Sequence, residues 1–302
     1  MDTQEELKRK IYFAIQEDAY DVLGLTNRPF LRTVLNPLLK LVFRRFAEFL
    51  SSFEGDVDRL GFKEAVTDLL PRFVQELEVS GLEYIPANGP LLLTSNHPAA
   101  YDAFAIASIL PRDDLKIVAT DIDLVDHLPA TSQHFTFIGK ASQPNVHRRM
   151  SGVRESIRHL RQGGALLLFP SGLVDPDPAI SDQAAESVQN WRPGIEILLR
   201  KVPETIVVVT VVSGVLSERW LKSPVTRLRK EPHNRQKVAE VFQVIEQLLF
   251  PGRLRLAPKI SFSRSITYES ILQDAGSSES LPYLISEAEQ LLTQHQNQFN
   301  IT

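Results

Sequence analysis

His97 and Asp102 are the residues whose types and spacing best suit chemistry. A five-residue step places two side chains about 140° apart on a regular helix, at roughly 100° per residue. The pair meets only if His97 lies outside the helix and folds back over its first turn. The segment from Leu91 to Asp102 permits this: Leu91-Leu92-Leu93 reads as a buried strand, a polar turn follows, and Pro98 suits an early helical position. In such a pair the neutral imidazole takes a proton near pH 7. The carboxylate on the other ring nitrogen fixes the tautomer and stabilises imidazolium. No G-x-S-x-G elbow supplies a serine nucleophile. The activated hydroxyl would then belong to a substrate and attack an acyl carbonyl directly. By spacing alone, a buried capping histidine fits as well.

The surrounding residues carry a family resemblance. Asn96-His97-Pro98-Ala99-Ala100-Tyr101-Asp102 resembles the N-H-x4-D motif of the glycerolipid acyltransferases, the glycerol-phosphate and lysophosphatidate acyltransferase superfamily. In that family the histidine is the general base and the aspartate orients it, and the resemblance implies those roles for His97 and Asp102. Further blocks follow in family order. Phe137-Ile138-Gly139-Lys140 resembles F-I-x-R, with a lysine that keeps the charge and loses the bidentate fork. Phe169-Pro170-Ser171-Gly172-Leu173-Val174 keeps the Phe-Pro-x-Gly of F-P-E-G-T-R, but Ser171 replaces the acid and Val174 the arginine. Trp191-Arg192-Pro193-Gly194 resembles the aromatic-basic-x-Gly element, and Ile206 to Thr210 corresponds loosely to the fourth block. The similarity runs from about Gly81 to Gly214, with a further sheet segment up to Ile266.

The resemblance implies an O-acyltransferase. Acyl-CoA or acyl-carrier protein would be the acyl-thioester donor, and a glycerol-phosphate or lysophospholipid hydroxyl the acceptor. It implies no permanently bound cofactor and no metal. Lys140 and Arg192 would bind an acceptor phosphate or carboxylate in place of the missing arginine. Ser171 and Gly172 would present hydroxyl and backbone donors. Two other readings stand beside this one: an acyl hydrolase using water, and an inactive lipid-binding family member, which the Ser171 and Val174 departures favour.

The pattern along the chain suggests what positions these residues. Residues 5–79 read as helical, in segments broken near Pro29, with Pro37 expected to kink the second and Pro71 to kink or split the third, Asp58 to Glu78. After Gly81 short apolar runs alternate with helical patterns. Strands are expected at Leu91–Leu93, Lys116–Thr120, His134–Ile138, Ala165–Phe169, Ile206–Val212 and, late, Leu256–Ile266. Helices are expected at Ala103–Leu110, Val153–Leu160, Ile195–Arg200, Val238–Phe250 and Leu281–Thr293, with a frayed glutamine-rich tail after Gln290. The expected fold is α/β, a mixed sheet covered by helices, with an N-terminal helical bundle over residues 1–79 and the acyltransferase-like domain over 80–302. Asp121, Asp123, Asp126 and His127 match no metal-ligand pattern. Asp175, Asp177 and Asp182 read as a lid or variable loop.

Composition narrows the classes. The 302 residues include no cysteine, which excludes a thiolate nucleophile, disulfides and Cys-ligated zinc or iron–sulfur clusters. The 33 basic and 37 acidic residues leave a net charge of −4, unlike a dedicated nucleic-acid binder. That total conceals unevenness. Arg28 to Arg45 holds five basic residues and no acidic one, Arg219 to Arg264 eleven basic and three acidic, and the stretch from Glu269 onward five acidic and none basic. Basic amphipathic helices suit an anionic lipid surface. With no signal-peptide core and no apolar run long enough to span a bilayer, the expected location is peripheral, on the cytoplasmic side of a membrane.

Overall fold

A computed structural model describes residues 4–139, 145–275 and 280–301. The strands are β1 (Glu78–Ser80), β2 (Leu91–Ser95), β3 (Leu115–Ala119), β4 (Phe135–Phe137), β5 (Ala165–Leu168), β6 (Ile206–Ser213), β7 (Lys259–Phe262) and β8 (Ile266–Thr267). The first helices are α1 (Gln4–Val22), α2 (Pro29–Leu60), α3 (Phe62–Leu69), α4 (Tyr101–Ile109), α5 (Pro129–Ser132) and α6 (Val146–Arg161). The remaining ones are α7 (Ala184–Val188), α8 (Gly194–Lys201), α9 (Glu218–Leu221), α10 (Pro232–Leu249), α11 (Tyr268–Ala275) and α12 (Ser280–Gln298).

The strands form one mixed sheet in the order β1-β7-β6-β2-β5-β3-β4, with β8 beside β6. The central ladders β2–β5, β2–β6 and β3–β5 are parallel, while β7 and β8 run antiparallel to β6. Leu91 to Leu93 and Val207 to Val209 are sealed from solvent on both sheet faces, which explains why these strands are continuous apolar runs. On one face Leu92, Leu166, Val207 and Val209 pack with Trp191, Ile195, Leu199, Leu284 and Leu292 from the covering segments. The expected α/β fold with a mixed sheet flanked by helices is the one observed.

The chain divides into two compact units. The helical unit takes Met1–Gln75 together with Ile122–Gln133 and Leu216–Leu256, and the sheet unit takes the rest. The helical unit thus joins the N-terminal segment to two later segments of the chain. Its core joins Ile11 and Ile15 of α1, Phe43 and Ala47 of α2, Leu128 and Val238 of α10. Short range pattern cannot reveal such recruitment, because the apolar faces of α1 and α2 accept any complementary helix.

Three local expectations change. The third helical segment breaks at Gly61, whose φ of 91° is the left-handed region that glycine adopts without a Cβ clash. Pro37 lies inside the continuous helix α2, on its exposed side. The late strand splits into β7 and β8, because the Ser263 hydroxyl takes the Val209 N–H at 3.0 Å, where a ladder partner would otherwise sit. The glutamine-rich tail is ordered helix rather than frayed: Leu291, Leu292 and His295 of α12 are buried. His295 anchors it, bonded to Ser213 Oγ on β6 at 2.8 Å and Ser261 Oγ on β7 at 2.7 Å.

Candidate active site

The site is built where parallel strands β2 and β5 end side by side. Beyond Ser95, the Asn96 side chain continues the sheet in place of a peptide. Its Nδ2 donates to the Val212 carbonyl at 2.9 Å, and the Val212 N–H donates to its Oδ1 at 2.8 Å. The chain then leaves the ladder, and α4 starts only at Tyr101. His97 thus lies outside the helix, as its spacing from Asp102 requires.

The imidazole Nδ1 lies 2.8 Å from Asp102 Oδ2. Asp102 is fully buried in the first turn of α4, and the same oxygen accepts the Ala99 N–H at 3.3 Å. A carboxylate on Nδ1 assigns the proton there and leaves the basic lone pair on Nε2. The His97 side chain keeps 27% of its surface exposed, so a substrate can approach the ring. From the end of β5, Phe169 stacks on that ring at 4.2 Å between centroids and 27° between planes.

The Phe169–Gly172 turn contributes structure as well as position. Ser171 is buried, and its hydroxyl lies 3.0 Å from Asp175 Oδ2 and 3.1 Å from the Leu173 carbonyl. Gly172 has φ 66°, and its N–H closes the turn on the Phe169 carbonyl at 3.1 Å. Both groups are thus engaged inside the turn. Arg192 lies over the turn: its N–H donates to the Pro170 carbonyl at 3.1 Å, and its guanidinium lies 3.3 Å from where a Cβ on Gly172 would be. The side chain is exposed and makes no ion pair among the described residues. Trp191, one residue earlier, belongs to the core instead. Phe137 ends the edge strand β4, Ile138 and Gly139 follow it, and Lys140 lies outside the described residues.

Sequence reasoning missed Asp175 and Asp177. Asp175 accepts the His97 N–H at 2.9 Å, and its own N–H donates to the His97 carbonyl at 2.8 Å. Burial pushes its carboxyl up to about 6, against the pull of the His97 and Ser171 bonds. Asp177 is buried and accepts the N–H groups of Gly214 and Val215 at 2.9 and 3.0 Å, closing the end of β6. Nothing in a Pro- and Asp-rich stretch signals these partners, because His97 is 78 residues from Asp175. Among the described residues no group of three or more His, Asp or Glu side chains is placed to hold a metal ion.

Residues 76–214 match the family model described as Acyltransferase. The matched segment holds β2, α4, β5 and β6, and so His97, Asp102, the Phe169–Gly172 turn and Arg192. A similar solved structure is the 1-acyl-sn-glycerophosphate (LPA) acyltransferase PlsC from Thermotoga maritima, at 14% sequence identity and a TM-score of 0.43, covering 95% of this chain and 94% of that one. No curated protein matches the chain.

Proposed function

We propose that this protein is an O-acyltransferase that moves an acyl group from a thioester, acyl-CoA or acyl-carrier protein, to a hydroxyl of an anionic acceptor such as glycerol phosphate or a lysophospholipid. The observation that carries this reading is the His97–Asp102 pair, 2.8 Å apart beside an exposed imidazole face, within a segment matching the Acyltransferase model. His97 Nε2 takes the acceptor hydroxyl proton as the oxygen attacks the thioester carbonyl. Asp102 stabilises the imidazolium so formed. Collapse of the tetrahedral intermediate breaks the carbon–sulfur bond, and the imidazolium returns the proton to the thiolate. The products are an ester and a free thiol.

Arg192 pairs with the acceptor's phosphate or carboxylate, since it is an exposed guanidinium beside the catalytic turn with no ion-pair partner among the described residues. Lys140 joins it in that role. Ser171 and Gly172 act by shaping the turn under Arg192.

An anionic lipid surface supplies the acceptor. Phe30, Val34, Leu38 and Leu41 form one solvent-exposed apolar face of α2, flanked by exposed Arg44 and Arg45. No described helix is long and apolar enough to cross a membrane.

The decisive experiment is an acceptor screen with labelled acyl-thioester donors, with and without anionic vesicles, using H97A as control. Ester formation that disappears in H97A supports the reading. His97-dependent release of free acid regardless of acceptor replaces it with a hydrolase, and lipid binding without turnover replaces it with a binding protein.

A further inference from the structure

His97 sits in the five residues between the end of β2 at Ser95 and the start of α4 at Tyr101, where neither ladder nor helix fixes the main chain. Asp175 grips it there at two points. The His97 N–H donates to Asp175 Oδ2 at 2.9 Å, and the Asp175 N–H donates to the His97 carbonyl at 2.8 Å. The two bonds flank the His97 Cα, so they set the point from which the imidazole reaches Asp102. The Ser171 hydroxyl, 3.0 Å from the same oxygen, ties this grip to the turn that carries Phe169. Asp175 is only 3% exposed.

A neutral amide oxygen would accept from the His97 N–H and the Ser171 hydroxyl without the cost of burying a charge. The negative charge has a use where positive charge develops nearby, and proton transfer to His97 creates it. The groups that face Asp175 include His97, Ser171 and the Asp102 carboxylate.

We propose that Asp175 is a positioning residue of the His97–Asp102 pair, which clamps the His97 main chain and, as a carboxylate, makes its imidazole more basic. The kinetic consequence rests on the acyl-transfer reading, whereas the effect on the imidazole does not. The Asp175 carboxyl, pushed up to about 6 by burial and by Asp102, is ionised above that pH, where a general base must work.

The test uses D175N and D175A in the full chain. Histidine-labelled NMR, with the His97 signal assigned by its loss in H97Q, reads the imidazole titration directly. In D175N it should fall by roughly one pH unit, and the acidic limb of the kcat profile should move down with it, with KM values changed by less than about twofold. D175A, which also removes the carboxylate's hold on the His97 N–H while the Asp175 N–H bond to the His97 carbonyl stays, should lower kcat by on the order of 10²-fold. An imidazole titration and acidic limb unmoved in D175N would overturn the proposal and leave Asp175 a purely structural residue. If the Asp175 variants do not fold, the coupling is read from the other side. The carboxyl titration of Asp175 by ¹³C NMR should move upward in H97Q relative to wild type, and an unchanged midpoint overturns the proposal. Should the wild type show no His97-dependent transfer, the acyltransferase reading fails alone, because both NMR titrations still decide the role of Asp175.

Discussion

Replacing Asp102 by asparagine keeps the side chain's shape and removes its charge, which isolates what the carboxylate does for His97. The charge that matters is the one appearing on the imidazole as it takes the acceptor proton. With Nδ1 and Oδ2 2.8 Å apart, the charge centres lie about 4 Å apart. At an effective dielectric constant of about 20, that attraction is worth about 4 kcal/mol. Its loss corresponds to about 10³-fold in kcat. An amide adds to the loss by offering an N–H where an acceptor is needed, which favours the wrong imidazole tautomer. Stability should change little, by about 1 kcal/mol or less. The variant weakens one charge-assisted hydrogen bond, but it also relieves a fully buried carboxylate whose Oδ1 has no hydrogen-bond partner among the described residues. Turnover can be followed by colorimetric detection of the released carrier thiol, with no background from a chain that lacks cysteine. Urea unfolding checks the fold in parallel. A well-folded D102N that keeps more than about a tenth of wild-type kcat would refute the role assigned to this carboxylate.

Two further outcomes test the framework around the site. G152A inserts a methyl into α6 against the Phe137 carbonyl and within 3.0 Å of Ile138 Cγ2. Helix propensity alone favours alanine by about 1 kcal/mol, but overpacking against backbone costs about 1–3 kcal/mol, so the urea midpoint should fall; a rise would show that α6 does not press on the end of β4. His295 supplies a pH signature. Burial first, and then the Lys259 charge, push its imidazole down to about 4 from the ordinary 6.5. Between those values the unfolded chain binds the proton that the folded chain refuses. The stability from this group is complete above pH 6.5 and is lost as pH falls toward 4, by about 3 kcal/mol in all. H295Q should remove that component of the slope, measured as unfolding free energy across the window, and an unaltered slope would disprove the burial argument.

The parts of this molecule readable from the chain are those whose information is contiguous. Leu91 to Asp102 announces a strand, a turn and a helix within twelve residues, and the same stretch holds both His97 and Asp102. The apolar runs of β5 and β6 are legible for the same reason, since a strand buried on both faces needs no polar alternation. The break at Gly61 escaped because glycine's signal is conformational permission, which helical periodicity does not display. The tail after Gln290 looked frayed because its glutamines hide the few residues that matter. Leu291, Leu292 and His295 share a buried face only because β6 and β7 present Ser213 and Ser261 to receive the histidine.

The same distinction separates the site's two carboxylates. Asp102 is tied to His97 by spacing, so its meeting with Nδ1 follows from local backbone geometry. Asp175 lies in a stretch whose composition fits any surface loop, and it reaches His97 because adjacent parallel strands deliver their following loops to the same end of the sheet. The recruitment of Leu128 and Val238 to the helical core is likewise a matter of which surfaces meet. Short-range periodicity specifies which face of an element is apolar and which residues lie within one turn of each other. Which partner covers that face, and which distant acid is buried against the histidine, depends on strand order and packing that no contiguous stretch encodes.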